Sequence, residues 1–123
     1  MYFDTHAHYD DRTFDEDRDS LLAALPESGV TLVIDPGCDV KSSRAAIELA
    51  ARYEHVYAAV GIHPEELGDF TEENLNEIAR LAGESKCAAI GEIGLDYYWD
   101  DTHKAEQKEL FRRQIELAIE LSK

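Results

Sequence analysis

Four short runs rich in β-branched and apolar residues, at 2–6, 30–35, 56–62 and 87–92, punctuate the chain, and each is followed by a stretch with helical spacing of its apolar positions. After the first run, Leu21, Leu22 and Leu25 form an apolar stripe that stops at Pro26 and Gly29. A second helix is predicted over about 42–53, with Ala46, Ile47, Leu49 and Ala50 turned inward. In the third, Thr71 is the N-cap, Leu75, Ile78, Ala79 and Ala82 make the stripe, and Gly83 closes it. The fourth covers about 103–122, with Leu110, Phe111, Ile115, Ala118 and Leu121 as its apolar side.

The predicted strands are nearly continuous in apolar residues, as parallel strands covered on both faces are. The strand-helix unit recurs about every 30 residues, which fits a doubly wound sheet or a (β/α) barrel. Polar residues decide between them. His6 and His8, Asp35-Pro36-Gly37, His63-Pro64, Glu92 and Asp96 all fall at or just past C-terminal strand ends, which converge on one mouth in a barrel. No Gly-rich dinucleotide loop follows the first strand. The predicted fold is therefore α/β, built of parallel (β/α) units of a TIM-type barrel. Residues 1–123 supply about four units, a half barrel with open edges on the first and fourth strands, so the domain is read as truncated.

No apolar run approaches the roughly 20 residues that span a bilayer, and no basic-then-apolar leader opens the chain. The expectation is no membrane insertion and, with only Cys38 and Cys87 far apart, a reducing cytoplasm in which both are buried, inert thiols. A net charge of −15 repels phosphate backbones, so a nucleic-acid substrate must be held by local cations or metal.

His6-Ala7-His8 is the sharpest chemical feature, because alternation in a strand aims both imidazoles at one face and makes half of a divalent-metal site. Asp4 shares their parity and is placed to accept the second ring N–H of a ligating histidine. Glu92, at a strand end among apolar residues, is an expensive buried charge unless it meets a cation. His63 is held extended by Pro64 at a strand-to-loop junction. Asp96 is either an outer acceptor or a loop brace, and Tyr97, Tyr98 and Trp99 either stack on an unpaired base or pack on the rim. His55 and His103 are expected at the surface.

Phe3-Asp4-Thr5-His6-Ala7-His8, Val60-Gly61-Ile62-His63-Pro64 and the run from Ala89 to Tyr98 (AIGEIGLDYY) together resemble the TatD family of metal-dependent deoxyribonucleases, a branch of the amidohydrolase-type barrel hydrolases. The resemblance spans this chain but only about the first half of a complete member. It implies that His6 and His8 bind one divalent ion, that Glu92 bridges it to a second, and that His63 contacts phosphate or transfers a proton. Up to two ions are implied, with Mg, Mn, Zn or Ni all compatible with the donors. The implied reaction is cleavage of DNA or oligonucleotide phosphodiester bonds by metal-activated water, single-stranded ends being favoured. Two further histidines and an aspartate, supplied in the family by later strands, have no positions here, and the chain alone is expected not to turn over. The alternatives are a barrel hydrolase acting on ester, lactone or amide bonds, and a non-catalytic metal-binding fragment. A homodimer could close the half barrel.

Overall fold

In the computed structural model, which describes residues Met1–Lys123, β1 (Tyr2–Asp4), β2 (Val30–Pro36), β3 (Val56–Val60) and β4 (Cys87–Ile90) form one parallel sheet in sequential order. The helices α1 (Arg18–Ala24), α2 (Val40–Arg52), α3 (Glu72–Ala82) and α4 (Lys104–Glu120) follow the strands in turn. Sequential order without reversal is how a barrel wall grows, whereas a doubly wound sheet reverses at its switch point.

All four helices lie on one face. Val56, Ala58 and Val60 share a face of β3 and feed both hydrophobic clusters, one formed with α1 and α2 and the other with α2, α3 and α4. Leu22, Ile78 and Leu110 are fully buried there, each contributing about 1.5–3 kcal/mol by removal from water. Capping fixes where two helices begin. Asp39 accepts the Ser42 N–H at 2.6 Å while the Ser42 hydroxyl binds the Asp39 N–H, and Thr71 accepts from Asn74.

The opposite face of the sheet forms an open groove of about 430 Å³, floored by Ile34, Pro36, Ala59 and Ala89, with His6 and Glu92 at its polar end. This face corresponds to the interior of a barrel wall.

Two sequence expectations are corrected. The first, third and fourth strands end at Asp4, Val60 and Ile90, earlier than predicted, so His6, His8, His63 and Glu92 stand on loops just beyond the sheet. The first strand stops because the Asp4 carboxylate accepts the His6 backbone N–H at 3.2 Å, a local turn that competes with the ladder. In α4, Ile115 and Ile119 are exposed, and the buried side is Gln107, Leu110 and Gln114, with Leu117 and Leu121 packed beside it. Two buried glutamines rotated the helix away from its apolar pattern, because their amides satisfy backbone groups that would otherwise be stranded.

Candidate metal centre

The His6 and His8 rings converge even though residues 5–8 are not strand. The Ala7 N–H donates to the Ile34 carbonyl at 3.1 Å and ties this loop to β2, leaving the two Nε2 atoms 3.2 Å apart. Glu92 Oε2 lies 3.5 Å from His6 Nε2 and 3.7 Å from His8 Nε2. An ion bound at about 2.0–2.1 Å in tetrahedral geometry separates its ligand atoms by about 3.3 Å. The three atoms therefore have the spacing of one face of a single-ion coordination shell. Two imidazoles and a carboxylate are also the donor set that divalent zinc, manganese and nickel accept.

Glu92 is placed by its backbone. Its N–H donates to the Gly37 carbonyl at 2.8 Å, and the preceding Gly91 N–H donates to Val60 at 2.9 Å. The Gly91–Glu92 peptide is cis. Gly61 permits the approach of this segment, since a Cβ there would sit 2.9 Å from the Gly91 carbonyl carbon.

The second carboxylate oxygen faces the other way. Glu92 Oε1 is 3.9 Å from His63 Nε2. The His63 N–H donates to the Cys38 carbonyl at 2.7 Å, and its Nδ1 accepts the Glu65 N–H at 3.1 Å. An Nδ1 that accepts leaves the neutral ring's proton on Nε2, so His63 presents a donor rather than a lone pair toward Glu92. The Cys38 thiol donates to Glu92 Oε2 at 3.7 Å, and burial, then the Glu92 charge, pushes it up to about 12. It is half-buried, whereas Cys87 is buried in the core.

Behind His8 lies a second acidic group. His8 Nδ1 is 4.0 Å from Asp10 Oδ1, and the Asp10 N–H donates to Asp35 Oδ2 at 3.0 Å. Asp35 is fully buried and its Oδ1 has no hydrogen-bond partner. Burial, reinforced by the Asp10 charge, raises its carboxyl to about 8.

Asp4 is corrected: its carboxylate accepts the backbone N–H of His6, not a ring N–H. Asp96 is a loop brace, accepting the Tyr98 N–H at 2.9 Å while Gln107 clamps its backbone N–H and carbonyl at 2.9 and 2.7 Å. It also lies beside His63 and Glu65, with one donor atom of each within 4.8 Å of the others. Tyr98 and Trp99 are 81% and 73% exposed, so nothing within residues 1–123 covers them. His55 departs from its expected surface position, being half-buried with Nε2 2.9 Å from the Leu22 carbonyl, while His103 is exposed beside Asp100. Sequence reasoning passed over Asp10 and Cys38 as site neighbours, and the two glutamines altogether. The lone acid ending an apolar run at Asp35 was the one signal available.

A family model described as TatD related DNase matches residues 3–123. YabD of Bacillus subtilis (strain 168), described as an uncharacterized metal-dependent hydrolase, is 41% identical over 122 residues, covering 99% of this chain and 48% of its own. A protein of Cronobacter sakazakii described as the 3'-5' ssDNA/RNA exonuclease TatD is 34% identical, covering 98% of this chain and 46% of its own. The crystal structure of YjjV, a TatD homolog from Escherichia coli K12, superposes with a TM-score of 0.89 at 31% identity, covering 98% of this chain and 48% of that one. The chain thus spans about half the length of the curated relatives it matches. With the match running from β1 through α4, across the loops that bring His6, His8 and Glu92 together, the chain belongs to the TatD related DNase family.

Proposed function

We propose that this chain carries the first ion-binding half of a hydrolase that cleaves phosphodiester bonds of DNA, with single-stranded ends as preferred substrate and the cytoplasm as its place of work. The observation that carries the reading is the split role of Glu92, one oxygen facing the His6–His8 pair and the other facing His63. The name of the Cronobacter relative supports a single-stranded substrate.

His6, His8 and Glu92 would hold one divalent ion, and the Glu92 oxygen facing His63 would be available to a second. A bound ion of this kind supplies charge to a phosphoryl oxygen and activates water near neutral pH. Everything else is done by the chain. His63, with its proton on Nε2, donates to a non-bridging phosphate oxygen and orients the scissile bond. Gly37 and Gly91 fix the Glu92 backbone so that its carboxylate does not follow the substrate. A molecule of net charge −15 repels a long duplex more than a frayed end, which presents fewer phosphates.

The test measures Mn²⁺ binding to the chain, and Mn²⁺-dependent cleavage of a labelled single-stranded oligonucleotide by residues 1–123 fused to the second half of YabD. Binding and cleavage should both disappear in His6→Ala and Glu92→Ala. Mn²⁺ binding that survives both substitutions rejects the ion site. Hydrolysis of simple esters, lactones or amides without oligonucleotide cleavage favours the wider class of barrel hydrolases instead.

Two copies of the chain are further proposed to pair across the open β1 and β4 edges, since Tyr2 and Phe3 on β1 are 72% and 54% exposed. A monomeric mass by light scattering at all concentrations rejects the dimer.

A further inference from the structure

His8 is the one ligand of the proposed ion that has carboxylates on its far side. Its Nε2 faces Glu92 and its Nδ1 faces Asp10 Oδ1 at 4.0 Å, so the ring stands between the centre and an acidic pair of which Asp35 is fully buried. We propose that Asp10, braced by Asp35, is the positioning residue of His8: it takes the Nδ1–H of the ring and leaves the Nε2 lone pair aimed at the ion. This rests on the reading of His8 as a ligand.

Three observations support it. Asp10 is held from both ends of its backbone. Its N–H donates to Asp35 Oδ2 at 3.0 Å, and its carbonyl accepts from Arg18 Nη2 at 3.2 Å. Arg18 also clamps the Tyr9 and Asp11 carbonyls at 2.6 and 2.7 Å, so the loop after His8 has little freedom. Second, Asp35 is fully buried at the end of β2 with Oδ1 unpartnered, a costly placement that a purely structural strand position would fill with an apolar residue. Third, the expected acceptor is otherwise engaged, because Asp4 is turned to the His6 backbone.

His8, Asp10 and Asp35 also have the spacing of a second cation site. Two ions on one imidazole would require it to lose both ring protons. With Nε2 given to the first ion, Nδ1 keeps its proton and is a donor, which a carboxylate accepts and a cation repels. At 4.0 Å the pair is outside hydrogen-bond range, and the positioning role requires this separation to close when the ion binds, as contacts around a site tighten on ligand arrival.

The experiment combines ¹⁵N NMR of the histidine rings with Mn²⁺ titration of the full chain. In the unsubstituted protein loaded with diamagnetic Zn²⁺, His8 should carry its proton on Nδ1 with the ion on Nε2, and an ion on Nδ1 overturns the proposal without any variant. Asp10→Asn should weaken Mn²⁺ binding by roughly 10–100-fold and mix the His8 tautomers, with Asp10→Glu restoring part of both. Asp35→Asn should do the same to a smaller extent. Undiminished binding in Asp10→Asn, while His8→Ala abolishes it, overturns the positioning role and leaves the ion site standing. Undiminished binding in His8→Ala removes the ion site and the proposal with it.

Discussion

Gln114 clamps both backbone groups of Ile62, its Oε1 accepting the Ile62 N–H at 2.7 Å and its Nε2 donating to the Ile62 carbonyl at 2.9 Å. Both residues are fully buried, and Ile62 immediately precedes His63. A helix more than fifty residues downstream thus sets where the candidate phosphate donor begins. Replacing Gln114 by Leu strands two buried backbone groups, at about 1–3 kcal/mol each. The urea midpoint of Gln114→Leu should fall accordingly, and an unchanged midpoint would show that the loop finds other partners.

Gly37 and Gly68 make a matched pair for substitution. A Cβ on Gly37 would lie 2.3 Å from Ser43 Oγ and 2.5 Å from Ser43 Cα, whereas one on Gly68 meets nothing within 4 Å. Gly37→Ala must push α2 away from the loop whose carbonyl holds Glu92, and is expected to cost about 1–3 kcal/mol. Gly68→Ala is expected to stay within about 1 kcal/mol of the parent. Thermal unfolding of the two side by side checks the contrast.

Asp35 gives stability a pH dependence of defined sign. Its folded carboxyl is raised to about 8, above the unfolded value of about 3.9, so the folded protein holds this proton more tightly. The contribution is therefore complete below about pH 4 and is lost as pH rises through about 8. Asp35→Asn should flatten this part of the profile between those limits, measured by urea unfolding at a series of pH values. An identical slope in parent and variant rejects the assignment.

Trp99 is the only tryptophan and stands exposed with Tyr98 edge-on at 4.6 Å. If the pair stacks on unpaired bases, a single-stranded oligothymidylate should quench its emission, and Trp99→Ala should weaken binding by about 1–3 kcal/mol. Emission unmoved at saturating oligonucleotide would remove Trp99 from the substrate surface.

The sequence by itself determined the parallel βα order and the residues around which the site forms, because both are written in local terms. Apolar runs and helical stripes fix element type, and His6, His8, His63 and Glu92 are conspicuous at strand ends. Tertiary structure decided what has no local signature. Gln107 and Gln114 carry no signal of their own until α4 meets the loops whose backbone they satisfy. Asp4 looked like the acceptor for a ligand ring, since strand parity put it there, but a turn took its carboxylate and brought Asp10 and Asp35 behind His8 instead. Which buried polar group meets which partner depends on three-dimensional proximity across 11 to 52 residues of chain, and no periodicity encodes that.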